Sequence, residues 1–230
     1  MELSGIKLLL PALYLLIGVM PASGQFGGGS RIPYFRYALS GGGGTTSLSG
    51  DLENQVLGAG AFIRGDYFLL HGLSLGLEGQ EGILRSEGTA DNDTYPRVTM
   101  MFFTGTATVR FHPLQFIASD HDRRILYRKP YFRKVINTAY VGGGFGGTYN
   151  FTRHTAEITN KETLYFSWLY HTTIGVDLPL NSIAPNSVDS YLWYINLNGQ
   201  LNFAANKGMD RYNEKSDRYS LISVGLKLML

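Results

Sequence analysis

The chain has 230 residues, a formal net charge of +2 and no cysteine, which excludes a disulfide framework, a thiolate metal site and a lipid-anchored N-terminal cysteine. The small net charge argues against nucleic acid as a partner. Charged residues make up 17% of the chain, against about 25% in a typical soluble domain, while 29 glycines, 15 tyrosines and 13 phenylalanines suit a sheet that must curve and face something apolar.

The first predicted element is a targeting segment. Residues 1–7 carry one lysine, residues 8–20 (LLLPALYLLIGVM) are an apolar run, and Ala22-Ser23-Gly24 is a small-x-small sequence before Gln25. That is the pattern of a secretory signal peptide over 1–24. The run is short for a spanning helix, which needs about 20 apolar residues.

Eight segments of period-2 alternation follow, bounded by turn residues. The first, 34–43, shows Phe35, Tyr37 and Leu39 on one face. The second, 56–67, shows Leu57, Ala59, Ala61 and Ile63. The third, 72–82, sets Leu73, Leu75 and Leu77 against Ser74, Gly76, Glu78 and Gln80. The fourth, 98–111, sets Met101, Phe103, Ala107, Val109 and Phe111 against Thr104, Thr106, Thr108 and Arg110. The fifth, 139–151, carries Val141, Phe145, Tyr149 and Phe151 on one side. The sixth, 164–178, has an unbroken apolar and aromatic face opposite a mixed face that holds His171 and Asp177. The seventh, 191–204, sets Trp193, Ile195, Leu197, Leu201 and Phe203 against Asn196, Asn198, Gln200 and Asn202. The eighth, 218–230, carries Ile222, Val224, Leu226, Leu228 and Leu230.

These segments exceed the usual globular strand of about 5–6 residues and reach the roughly 9–11 that a tilted strand needs to cross a bilayer. Their polar faces hold few Lys or Glu, so they suit an enclosed interior better than bulk water. Aromatics gather near segment ends, as in the girdles of membrane barrels. The sequence therefore predicts an all-β fold: an eight-stranded antiparallel up-and-down transmembrane β-barrel over 25–230, located in the outer membrane. Its outer loops are expected at 44–55, 83–97, 152–163 and 205–217, and its inner connections at 67–71, 112–138 and 179–190. An even strand count returns both termini to one side.

The chain ends Ser223-Val-Gly225-Leu-Lys-Leu228-Met-Leu230. This spacing resembles the signal read by the barrel assembly machinery, with Leu in place of the usual terminal aromatic. The glycine-rich first strand followed by SLSGDL (47–52), VRFHPL (109–114) and AYVGGGFGGTYN (139–150) resemble the small Bacteroidetes-type outer-membrane barrels, in particular the PorG-like group. The resemblance implies membership of an envelope complex serving protein export or gliding motility. It brings no catalytic residues, since that group's function does not rest on a catalytic motif.

An eight-stranded barrel is just wide enough for side chains to fill it. The register places Arg36, Arg64, Glu78, Arg110, His171, Asp177 and Lys227 in the lumen, where buried charges must be paired. They are expected to form a structural polar network, with a narrow passive channel for small solutes as the alternative. A lipid-modifying enzyme is a second alternative. Against it, Ser167 and His171 share a face but lie about 13 Å apart at roughly 3.3 Å per residue, and no nucleophile elbow, zinc motif or paired-carboxylate arrangement is present. The expectation is a non-enzymatic protein that needs no cofactor or metal.

The connection 112–138 is long for a periplasmic turn. It carries Arg123, Arg124, Arg128, Lys129, Arg133 and Lys134 against Asp120 and Asp122, interleaved with Tyr127, Tyr131 and Phe132. Cations and aromatics together suit docking on a protein partner, periplasmic or in the outer membrane, or on lipid headgroups.

Overall fold

A computed structural model of the protein describes residues 35–49, 54–87, 97–119, 126, 129–155, 162–180, 192–205 and 218–230. The strands follow in chain order: β1 (Tyr37–Ser49), β2 (Asn54–Leu70), β3 (Leu73–Glu87), β4 (Arg97–Phe111), β5 (Tyr140–Thr155), β6 (Glu162–Pro179), β7 (Leu192–Ala204) and β8 (Arg218–Met229). Each pairs antiparallel with its neighbours, and β1 pairs with β8, so the sheet closes into an up-and-down barrel. Two short helices, α1 (Pro113–Ile117) and α2 (Tyr131–Asn137), lie between β4 and β5. The segment 1–24 lies outside the described residues.

The first three strands outrun their expected ends. β1 starts at Tyr37 rather than residue 34 and continues to Ser49, where 44–55 was expected to be a loop. Thr46 and Leu48 keep the alternation and point inward, and Leu48 registers with Tyr219 of β8. β2 runs to Leu70 and β3 to Glu87. In β1 polar residues such as Thr46 continue the inward alternation instead of ending the strand, whereas β2 and β3 are extended with apolar residues inside, Phe68 and Leu84. The β2–β3 connection is reduced to His71-Gly72. Gly72 has φ of +87°, which favours glycine. A Cβ there would also lie 2.7 Å from both the His112 carbonyl oxygen and the Phe116 nitrogen.

Inward glycines let so small a barrel close around large side chains. A Cβ on Gly42 or Gly44 of β1 would collide with the carbonyls of Val224 and Ile222 on β8. The ring of Phe102 fills the space over Gly82, and that of Phe62 the space over Gly225.

The outward face is apolar around the circumference. Leu57, Leu77, Ile174 and Ile222 are each about two-thirds exposed (68%, 66%, 65% and 67%). Between them lies an aromatic field in which Phe145 stacks on Trp168 at 5.3 Å and Tyr170 on Phe203 at 5.2 Å. Soluble monomers rarely expose contiguous apolar patches beyond a few hundred Å², whereas hydrocarbon is the matching solvent for such a band. Closure satisfies every strand edge, as lipid requires. The chain is an outer-membrane-type transmembrane β-barrel. No described helix is long and apolar enough to cross a membrane.

Candidate functional site: the barrel interior and its rim

The middle of the lumen is built on Arg64 and Glu78, which stand opposite each other in the β2–β3 register. Arg64 Nε donates to Asp66 Oδ1 (2.9 Å), Nη1 to Glu78 Oε2 (2.6 Å) and Nη2 to Thr108 Oγ1 (3.2 Å). Gln80 Nε2 donates to Glu78 and to Gln200 Oε1 (3.0 Å), while Gln80 Oε1 accepts from the Tyr219 hydroxyl (3.1 Å). These contacts run from β2 and β3 across to β7 and β8. Arg110 Nη2 lies 3.9 Å from Glu78, and its guanidinium sits 4.3 Å over the Tyr140 ring. A cation over an aromatic face is stabilised by the ring quadrupole.

Nearer the termini, a second cluster centres on Asp177. Its Oδ2 accepts from Lys227 Nζ (2.6 Å) and its Oδ1 from Asn196 Nδ2 (2.6 Å). Asn196 also donates to the Tyr140 hydroxyl (3.0 Å), which donates to Asn198 (3.1 Å). The described buried charges are Arg64, Arg110 and Lys227 against Asp66, Glu78 and Asp177, so the interior is electroneutral among those groups. Matching of this kind offsets the cost of burying charge, although Arg110 Nε and Nη1 have no hydrogen-bond partner among the described residues.

The loop-side end of the lumen is apolar. Leu48, Leu84, Met100, Phe102, Leu169, Ala204 and Tyr219 form one apolar cluster, with Tyr165 packed against it. The Phe102 and Tyr219 rings are 4.9 Å apart. At the opposite end His112, which follows β4, is buried with its ring 6.0 Å from Phe68 and 5.3 Å from Tyr140. Burial, and then the positive charge of Lys227, push the His112 pKa down to about 4 against a smaller opposing effect of Asp177, so the ring is neutral at neutral pH.

Six of the seven expected lumen residues, namely Arg64, Glu78, Arg110, His171, Asp177 and Lys227, are buried inside the barrel. Arg36 is not: it is exposed, one residue before β1 begins, and its carbonyl accepts from Phe68 N at the rim. Alternation fixes which face a residue takes, and Arg36 has the inward parity, but the lumen ends before reaching it. His171 packs against Gly144, and its ring nitrogens have no hydrogen-bond partner among the described residues. Ser167, like His171, points inward, and none of the histidines with described side chains lies on the outward face of a strand. Among the described residues no group of three His, Asp or Glu could hold a metal.

Of the expected docking cations, Arg123, Arg124 and Arg128 lie outside the described residues. Arg133 is exposed on α2, while Lys129 and Lys134 are half-buried. The expected basic segment is thus bracketed by helices fixed at the barrel rim. Thr138, just past α2, donates to the carbonyls of Val135 and Asp177 and accepts from Asp177 N, tying α2 to the end of β6.

Sequence reasoning did not single out Asp66, Tyr140, His112 or the apolar lumen cluster as part of this interior. Asp66 lies within the expected second strand and shares parity with Arg64, so alternation is the signal that marks it as inward. The cluster had a signal in Met100-Met101-Phe102-Phe103, where both faces of one strand are apolar.

No family model matches the chain, and no curated protein matches it in sequence. Solved structures do resemble it. The attachment invasion locus protein Ail of Yersinia pestis aligns over 85% of this chain and 99% of its own, at 10% identity and a TM-score of 0.47. Neisserial surface protein A aligns over 84% and 97%, at 10% identity and a TM-score of 0.45. OprG, an outer membrane protein of Pseudomonas aeruginosa, aligns over 84% and 97%, at 11% identity and a TM-score of 0.42.

Proposed function

We propose that this protein is a non-enzymatic, non-conducting outer-membrane barrel that serves as a structural or assembly component of an envelope complex, engaging partners from the side of its termini through the 112–138 connection. The observation that carries this reading is the filled interior. An apolar cluster occupies the loop-side end, and a charge-balanced network crosses the middle and the lower part. Among the described residues Arg64, Glu78, Asp177 and Lys227 are committed to one another and to neutral partners, and Arg110 is held over the Tyr140 ring beside Glu78, so no buried carboxylate is left without a cation. The resemblance of 47–52, 109–114 and 139–150 to PorG-like barrels supports a complex of the export or gliding type.

Two experiments test the two halves. Purified full-length protein in planar bilayers should show no stable conductance, and reproducible unitary currents would replace this reading with the narrow channel. Partner recovery from gently solubilised envelopes should fall when Arg123, Arg124, Arg128 and Lys129 are changed together to Gln. Unchanged recovery would remove the docking role.

A further inference from the structure

We infer that α1 and α2 form a membrane-interface anchor: their exposed apolar side chains lie among the headgroups and upper acyl chains of the leaflet on the termini side, with the adjacent cations on lipid phosphates. This rests on the barrel lying in a bilayer and not on the proposed assembly role.

Neither helix has a buried residue, so neither contributes to a core. Yet Phe116 and Ile117 of α1 and Tyr131 and Phe132 of α2 are large, apolar or aromatic, and exposed, Ile117 at 74% and Phe132 at 71%. Such side chains on a rigid support need a cover. The support is rigid on both sides. His112 N, at the start of α1, donates to the Gly72 carbonyl of the β2–β3 turn (2.7 Å), and Thr138 pins the end of α2 to β6.

The cover is identified by continuity. The Phe116 ring packs edge-on to Phe111 at 5.3 Å, and Phe111 is the last residue of β4 on its lipid-facing side, in line with Val109 and Phe103. The apolar surface of the helices is therefore an extension of the transmembrane belt past its edge, and what lies past that edge is the headgroup layer. The charges fit that layer. Arg133 and Lys134 follow Phe132 directly, and Lys129 precedes the helix. Cations beside interfacial aromatics find phosphates within reach of their long side chains, and juxtamembrane Lys or Arg gain about 1 kcal/mol each near an anionic surface.

The cysteine-free sequence allows a direct test. Ile117→Cys, Phe132→Cys and, as a lipid-facing control, Leu77→Cys are each labelled with a small environment-sensitive fluorophore. The full-length proteins are reconstituted in vesicles of phosphatidylcholine with phosphatidylglycerol, and folding is checked by the heat-modifiable gel shift. The labels at 117 and 132 should lose iodide quenching to the level seen at 77 and be quenched by nitroxides carried high on the acyl chain. Arg133→Gln with Lys134→Gln should reduce that nitroxide quenching at 132 in anionic vesicles while leaving the control at 77 unchanged. Iodide quenching at 117 and 132 equal to that of free dye would overturn the inference. So would protection from iodide without nitroxide quenching, because the cover would then be protein.

Discussion

At the scale of single residues, the pair Arg64–Glu78 shows why a buried network is easier to break than to value. Glu78 accepts from Arg64 and lies near Arg110. Removing its charge leaves two guanidiniums with Asp66 as the one carboxylate beside them among the described residues. Breaking a buried pair by removing one partner costs about 3–5 kcal/mol, so Glu78→Gln should lower unfolding stability by that order in urea titrations of vesicle-inserted protein. Replacing Arg64 by Met and Glu78 by Leu together strands Asp66 and Arg110, which lose these partners, so the double change should cost at least as much as Glu78→Gln alone. Glu81 makes the converse case. It is exposed on the outer face of β3, registered between Ala61 and Phe103, with no hydrogen bond or ion pair among the described residues. A carboxylate on a lipid face is unfavourable by an amount that depends on depth, so Glu81→Leu should stabilise the inserted barrel by about 1 kcal/mol in the same assay. Facing was legible from parity at both positions. Pairing was not, because partners such as Gln80 and Gln200 are separated by most of the chain and meet only when β1 closes on β8.

At the scale of elements, eight alternating segments were readable because lipid imposes one apolar face on every strand. Their ends were harder to read. Thr45 to Ser49 and Ser86 to Glu87 look like loop by composition, yet they lie in strands because they stay paired with β8 and with β2 and β4 respectively. The long connection was legible as basic and aromatic, whereas its two short helices and their attachment through Phe116 and Thr138 depend on tertiary contacts. Its first residue, His112, gives the connection a pH dependence. The ring is buried and neutral when folded, with a pKa of about 4, against about 6.5 in the unfolded chain. Between those values the unfolded state binds the extra proton, so stability rises with pH. The contribution is complete above pH 6.5 and falls away as pH drops toward 4, by up to about 3 kcal/mol. Asp177, Lys227, Arg110 and Tyr140 surround the same end, so the measurement must be a difference. Unfolding stability of the wild type should fall more steeply between pH 6.5 and 4 than that of His112→Phe. Parallel slopes would show that His112 is not the group responsible.

At the scale of the whole molecule, the lumen is two materials in series, an apolar cluster toward the loops and a hydrogen-bonded charge network below it, and the proposed function requires that either alone obstruct ions. Phe102 tests whether both count. It is fully buried, packs on Tyr219 and fills the space over Gly82. Truncating a buried Phe costs about 3–5 kcal/mol through lost transfer energy and the cavity left behind, so Phe102→Ala should be clearly less stable than the wild type in urea titration. It should nevertheless remain electrically silent in planar bilayers. The Arg64–Glu78–Gln80–Gln200 layer is untouched by the change, and it reaches from β2 across to β7 through side chains already bonded to one another. An ion entering from the loop side would have to displace those bonds without gaining a free counter-charge. If Phe102→Ala conducts, the polar layer is permeable, the apolar cluster is the sole barrier, and the protein is better described as a gated pore than as an assembly component.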